Sequence, residues 1–99
     1  MLLRDKDKDL IIDLANKKIN QPSELWAFGS RVNGKAHDTS DLDLVLVSKN
    51  NEKIDIDDFI NFKESLKESN IPIIVQVLDW NRIPKSFHKN ILLDYIVLV

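Results

Sequence analysis

Apolar residues near the start of the chain recur three and four apart. Leu10, Ile11, Leu14, Ala15 and Ile19 line one stripe, which predicts an amphipathic helix between Asp5 and Ile19. Asn20, Gln21, Pro22 and Ser23 break that period, and the run ELWAFG, Glu24 to Gly29, predicts a short, largely buried strand. No apolar period survives from Ser30 to Ser40, a turn-rich loop with room for one helical turn. From Asp41 the period becomes two. Leu42, Leu44 and Leu46 alternate with Asp41, Asp43, Val45 and Val47, so the second strand opens on two carboxylates.

After a polar loop from Ser48 to Asp55, Ile56, Phe59, Ile60, Phe62 and Leu66 outline a helix from about Asp57 to Ser69, with Asp55, Asp57 and Asp58 at its positive end. The β-branched run Pro72 to Leu78 predicts a third strand, and Asp79 to Ile83 a connection. Pro84 suits the first turn of a last helix, Lys85 to Asn90 or onward to Tyr95, and Tyr95 to Val99 predicts a terminal strand. Helix and strand alternate without repeats or linkers. That pattern predicts one α/β sheet with helices against it, in a single domain spanning 1–99.

The 99 residues permit only a modest core, so a large substrate must be held by something else. With 14 basic and 16 acidic residues the chain has no basic field, which argues against direct binding to a nucleic-acid backbone. The absence of cysteine excludes a thiol nucleophile and a disulfide scaffold and fits a reducing cytoplasm. The start MLLRDKDKDL is too charged for a signal peptide, and no apolar run approaches the roughly 20 residues of a membrane span. A cytoplasmic protein with no membrane contact is expected.

The chemistry lies between Trp26 and Val47. Alternation in a strand puts Asp41 and Asp43 on one side, with Cα atoms roughly 6 to 7 Å apart, so both can reach one ion. Clustered anions need a compensating cation, and hard oxygen ligands suit Mg²⁺ or Mn²⁺ bridging substrate phosphates. Gly29 lets a backbone approach a ligand closely, and Ser30 adds a hydroxyl and an amide where the next turn starts, which makes a phosphate cradle. Arg31, and behind it Lys35 or Lys49, would be the cationic partners.

These residues, G29-S30-R31, G34-K35-A36 and S40-D41-L42-D43-L44, resemble the nucleotidyltransferase superfamily of DNA polymerase beta, and within it the minimal nucleotidyltransferases encoded beside HEPN-domain partners. The resemblance extends from Leu25 through the terminal strand. It implies a mixed sheet of about four strands flanked by helices. It also implies nucleotide binding by Gly29, Ser30, Arg31 and Ser40, and two Mg²⁺ ions on Asp41 and Asp43. The implied reaction transfers AMP from ATP with release of pyrophosphate. The implied partner is a HEPN-domain toxin neutralised by adenylylation. The family's third carboxylate falls at Gln76, and an amide neither accepts a proton nor carries charge. Asp79 lies three residues on, with opposite strand parity, and reads as structural.

Each residue also has a plainer role. Asp-Leu-Asp-Leu alone is the solvent face of a strand. Ser30 can cap a helix and Ser40 can shape a loop. Arg31, Lys35 and Lys49 can be ordinary surface charges. His37 and His88 lack metal-site spacing, and Trp26 and Trp80 suit core or partner-interface packing. Other functions follow from these readings. Gln76 could leave an antitoxin that only masks its partner, and a partner-supplied acceptor pocket could make a two-subunit enzyme acting on a small molecule.

Overall fold

A computed structural model describes residues 3–35 and 40–99. The amphipathic stripe at the start forms α1 (Asp5–Lys18), with Asp5 and Asp7 in its first turn and Lys17 and Lys18 in its last, each complementing the helix dipole. Then come β1 (Ser23–Phe28), a single turn α2 (Ser30–Asn33), β2 (Leu42–Ser48) and α3 (Ile56–Glu68). The chain continues through β3 (Val75–Asp79), α4 (Lys85–Leu93) and β4 (Tyr95–Val97). The Asp55 side chain accepts from the Asp58 amide at 3.1 Å, which caps α3 as its cluster of aspartates suggests. Among the described residues no helix is long and apolar enough to cross a membrane.

The strands form one mixed sheet in the order β3-β2-β1-β4. β1 pairs antiparallel with β2 and β4, while β2 and β3 run parallel, joined by α3 as crossover. Period-two alternation gives the sheet two different faces. Leu25, Ala27, Leu42, Leu44, Leu46 and Val77 meet Ile11, Ala15, Phe62 and Leu66 of α1 and α3 in the hydrophobic core. The opposite face carries Trp26, Phe28, Asp43 and Gln76. α4 covers part of it through aromatic contacts: Phe87 meets Phe28 edge-on at 6.2 Å, and His88 stacks on Trp80 at 3.7 Å. Trp26 bridges Trp80 at 5.3 Å and Tyr95 at 4.6 Å, so both tryptophans pack internally.

Some boundaries differ from those the sequence predicts. β3 starts at Val75 rather than Pro72, because its partner strand starts at Leu42, which pairs with Val75. Proline also lacks the N–H a ladder needs. β3 extends through Asp79, which the sequence places in a connection. Pro84 is the N-cap of α4 rather than its first helical residue, and α4 continues to Leu93. Ile56 and Ile60, counted in the apolar stripe of α3, are exposed, and Phe62 and Leu66 carry its core face.

Candidate active site

Three of the residues selected from the sequence converge on the second face. Phe28, Asp43 and Gln76 form one row across β1, β2 and β3, since Phe28 pairs with Asp43 and Asp43 with Gln76. Asp41 precedes β2 with the same parity as Asp43, and its Oδ2 accepts a hydrogen bond from Gln76 Nε2 at 2.8 Å. The two carboxylates and the amide at the third position therefore share one site. Burial pushes the Asp43 carboxyl above the ordinary aspartate range, and the charge of Asp41 pushes it further.

Gly29 stands directly against this pair. Its φ of +82° and ψ of −158° lie in a region essentially restricted to glycine, and a Cβ there would sit 2.5 Å from Asp43 Oδ2. The turn thus brings its backbone to the carboxylate with no side chain between them. Ser30 is the first residue of α2, and the leading amides of a helix have no partner within it. Replacing Gly29 by alanine should cost about 1 to 3 kcal/mol through the backbone alone. It should also displace the Asp43 carboxylate. Urea unfolding measures the first effect.

Arg31 takes a place that the sequence does not foretell. It is buried in α2, and its Nε donates to the carbonyl of Ser40 at 2.8 Å. The guanidinium braces the turn after Gly29 against the junction from which Asp41 projects. Lys35 is exposed just beyond α2. Lys49 lies past the far end of β2, roughly 20 Å of strand from Asp43 at about 3.3 Å per residue, and is thereby removed from the phosphate partners. His37 and Ala36 lie outside the described residues. His88 Nε2 meets the Trp80 carbonyl at 2.6 Å, a packing role distant from the carboxylates in the sheet register.

Asp79 faces the other way. Its side chain is fully buried on the core side, where Oδ2 accepts from the Ile54 amide at 2.8 Å and Arg82 Nε at 3.1 Å, and Oδ1 from the Asn81 amide at 3.0 Å. It is a structural anchor between the loop before α3 and the end of β3. Arg82 is the partner that sequence reading missed. A cavity of about 750 Å³ between α3 and the segment before β3, lined by Ile60, Lys63, Ile71, Ile73 and Ile74, contains none of the site residues.

A mixed sheet presenting paired carboxylates against a glycine turn is the architecture of a nucleotidyltransferase, and the chain belongs to the family described as polymerase beta, nucleotidyltransferase, which it matches over residues 7–99. It is 42% identical over 74 residues to a protein of Haemophilus influenzae named "Probable protein adenylyltransferase MntA". That match covers 75% of this chain and 63% of the relative, so the chain spans somewhat less than two thirds of the relative's length. Two solved structures share the fold. One is a toxin-antitoxin with AMP-PNP, with a TM-score of 0.76 and 20% identity over 93% of this chain and 72% of that one. The other holds a tri-AMPylated Shewanella oneidensis HEPN toxin in complex with MNT antitoxin, with a TM-score of 0.73 and 15% identity over 98% of this chain and 72% of that one.

Proposed function

We propose that this chain acts as one nucleotidyltransferase domain that transfers AMP from ATP, with Mg²⁺, onto a HEPN-domain toxin and so serves as its antitoxin. The observation that carries the reading is the packing of Asp43 against Gly29, with Asp41 beside it. Anionic ligands for a cation and a bare backbone for phosphates then lie within one substrate's length. The kinship to a protein named as an adenylyltransferase favours AMP as the transferred group. The AMPylated HEPN toxin bound to an MNT antitoxin in a structure of the same fold favours such a partner as acceptor.

In this reading Asp41 and Asp43 would hold the divalent cations, whose positive charge would offset that of the phosphates. Gly29 and Ser30 seat the phosphates through the turn backbone, and Arg31 with Ser40 keeps that turn and Asp41 in register. A tyrosine hydroxyl of the partner forms the new bond to the α-phosphorus, and the bond from that phosphorus to the bridging oxygen of pyrophosphate breaks. The hydroxyl proton passes to solvent, because Gln76 offers no base. The partner supplies the acceptor, which a chain of this size has little room to hold itself. The reaction belongs in the cytoplasm, where ATP is available.

The test incubates the chain with ATP labelled at the α-phosphate, Mg²⁺ and the HEPN protein. Label on the partner is the expected result. Neutralisation of the partner without any label would replace this reading with that of an antitoxin acting by masking, the role that loss of the third carboxylate favours.

A further inference from the structure

We infer that Gln76 sets when the site acquires its divalent ion: the free chain holds the ion weakly and takes it up together with the nucleoside triphosphate. The inference rests on the reading above that Asp41 and Asp43 are the ion's ligands. Gln76 occupies the register position opposite Asp43 and reaches along the strand to Asp41. Its nitrogen must face that carboxylate, since only the amide N–H₂ donates. In the free chain a neutral donor therefore lies against Asp41 Oδ2, where an anionic third ligand would otherwise add attraction for a cation.

Among the described residues no other group makes up the missing charge. Among the described residues no third His, Asp or Glu joins Asp41 and Asp43 in a metal-binding cluster. Asp79 is on the opposite face with both oxygens engaged. Affinity for a hard cation follows the number and charge of its oxygen ligands, so a pair of carboxylates binds more weakly than three. Triphosphate oxygens supply the lacking negative charge. Gln76 can then assist by turning its amide about the last side-chain torsion, which is broad and soft, to offer Oε1 as a neutral ligand. The amide thus favours Asp41 in the free chain and the ion in the loaded one.

Proton relaxation enhancement by Mn²⁺ distinguishes protein-bound ion from Mn²⁺ nucleotide free in solution. It would be measured for the wild type, Gln76→Asp and Gln76→Ala, with and without a non-hydrolysable ATP analogue. Gln76 is exposed on an edge strand, so all three proteins should fold, with Gln76→Asp unfolding somewhat earlier at neutral pH because a third carboxylate joins Asp41 and Asp43. Without nucleotide, Gln76→Asp should bind Mn²⁺ about tenfold or more tightly than the wild type, and Gln76→Ala should stay near the wild type. The analogue should tighten Mn²⁺ on the wild type by about tenfold or more and on Gln76→Asp by clearly less. Equal affinity of the wild type and Gln76→Asp without nucleotide would overturn the role of Gln76 alone. Failure of every variant to bind the analogue would overturn the nucleotidyltransferase reading, and this inference with it.

Discussion

Replacing Asp79 by alanine should destabilise the protein by about 2 to 5 kcal/mol, the cost of removing a buried carboxylate that accepts from two backbone amides and from the more exposed Arg82. The side chain is fully buried, and its removal leaves the Ile54 and Asn81 amides and the Arg82 guanidinium without their acceptor. Arg82 also donates to the Ile54 carbonyl at 2.8 Å, so the same change loosens the loop that leads into α3. A chain of this size has a total stability of about 5 to 15 kcal/mol, so the loss is a large share of it. Urea denaturation of Asp79→Ala checks the value. Asp79→Asn keeps an acceptor and should cost less. If Asp79 instead replaced the missing third carboxylate, Asp79→Asn would abolish transfer while leaving stability intact. Its pairing opposite Leu46 on the core side of the sheet argues for the reverse.

The contrast between Asp79 and Gln76 shows what a sequence can convey. Strand parity is a local property, so the shared side of Asp41 and Asp43 and the opposite orientation of Asp79 follow from spacing alone. The Gly-Ser turn is legible for a related reason, since few residues other than glycine allow a backbone to approach a carboxylate so closely. Contacts between distant segments are another matter. The hydrogen bond from Gln76 to Asp41 depends on which strands become neighbours, and the alternation of helix and strand leaves that order open. Arg31 reads as a phosphate partner, or more plainly as a surface charge, because nothing in its neighbourhood reveals that Ser40 returns over it. Val45 is fully buried on the same face as Asp43, where its pairing partner Trp26 packs against Trp80 and Tyr95, a tertiary event invisible to the pattern of β2.

Asp41→Asn and Asp43→Asn should each reduce nucleotide transfer by about 10³-fold, since losing one anionic ligand removes several kcal/mol of transition-state charge stabilisation. Their stabilities should move differently. In Asp41→Asn the new amide oxygen can still accept the hydrogen bond from Gln76 and only the repulsion on Asp43 is relieved, so the unfolding midpoint should rise less than in Asp43→Asn. Asp43 is held in its charged form at neutral pH against burial and the repulsion of Asp41, which raises its folded carboxyl above that of the unfolded chain. The folded protein therefore binds more protons than the unfolded one between those two values. Stability falls as pH rises through that window and remains lowered above it. Asp43→Asn carries no such penalty, so this variant should unfold at a higher temperature than the wild type at pH 7, with the difference shrinking as acid protonates Asp43. Thermal unfolding across pH, beside the labelling assay, reads both effects. A residue whose replacement costs activity while adding stability is held in an unfavourable state for its chemistry, and Asp43 should behave in this way where Asp79 does not. Full transfer by the Asp43→Asn protein would return the pair to the solvent face of an ordinary strand.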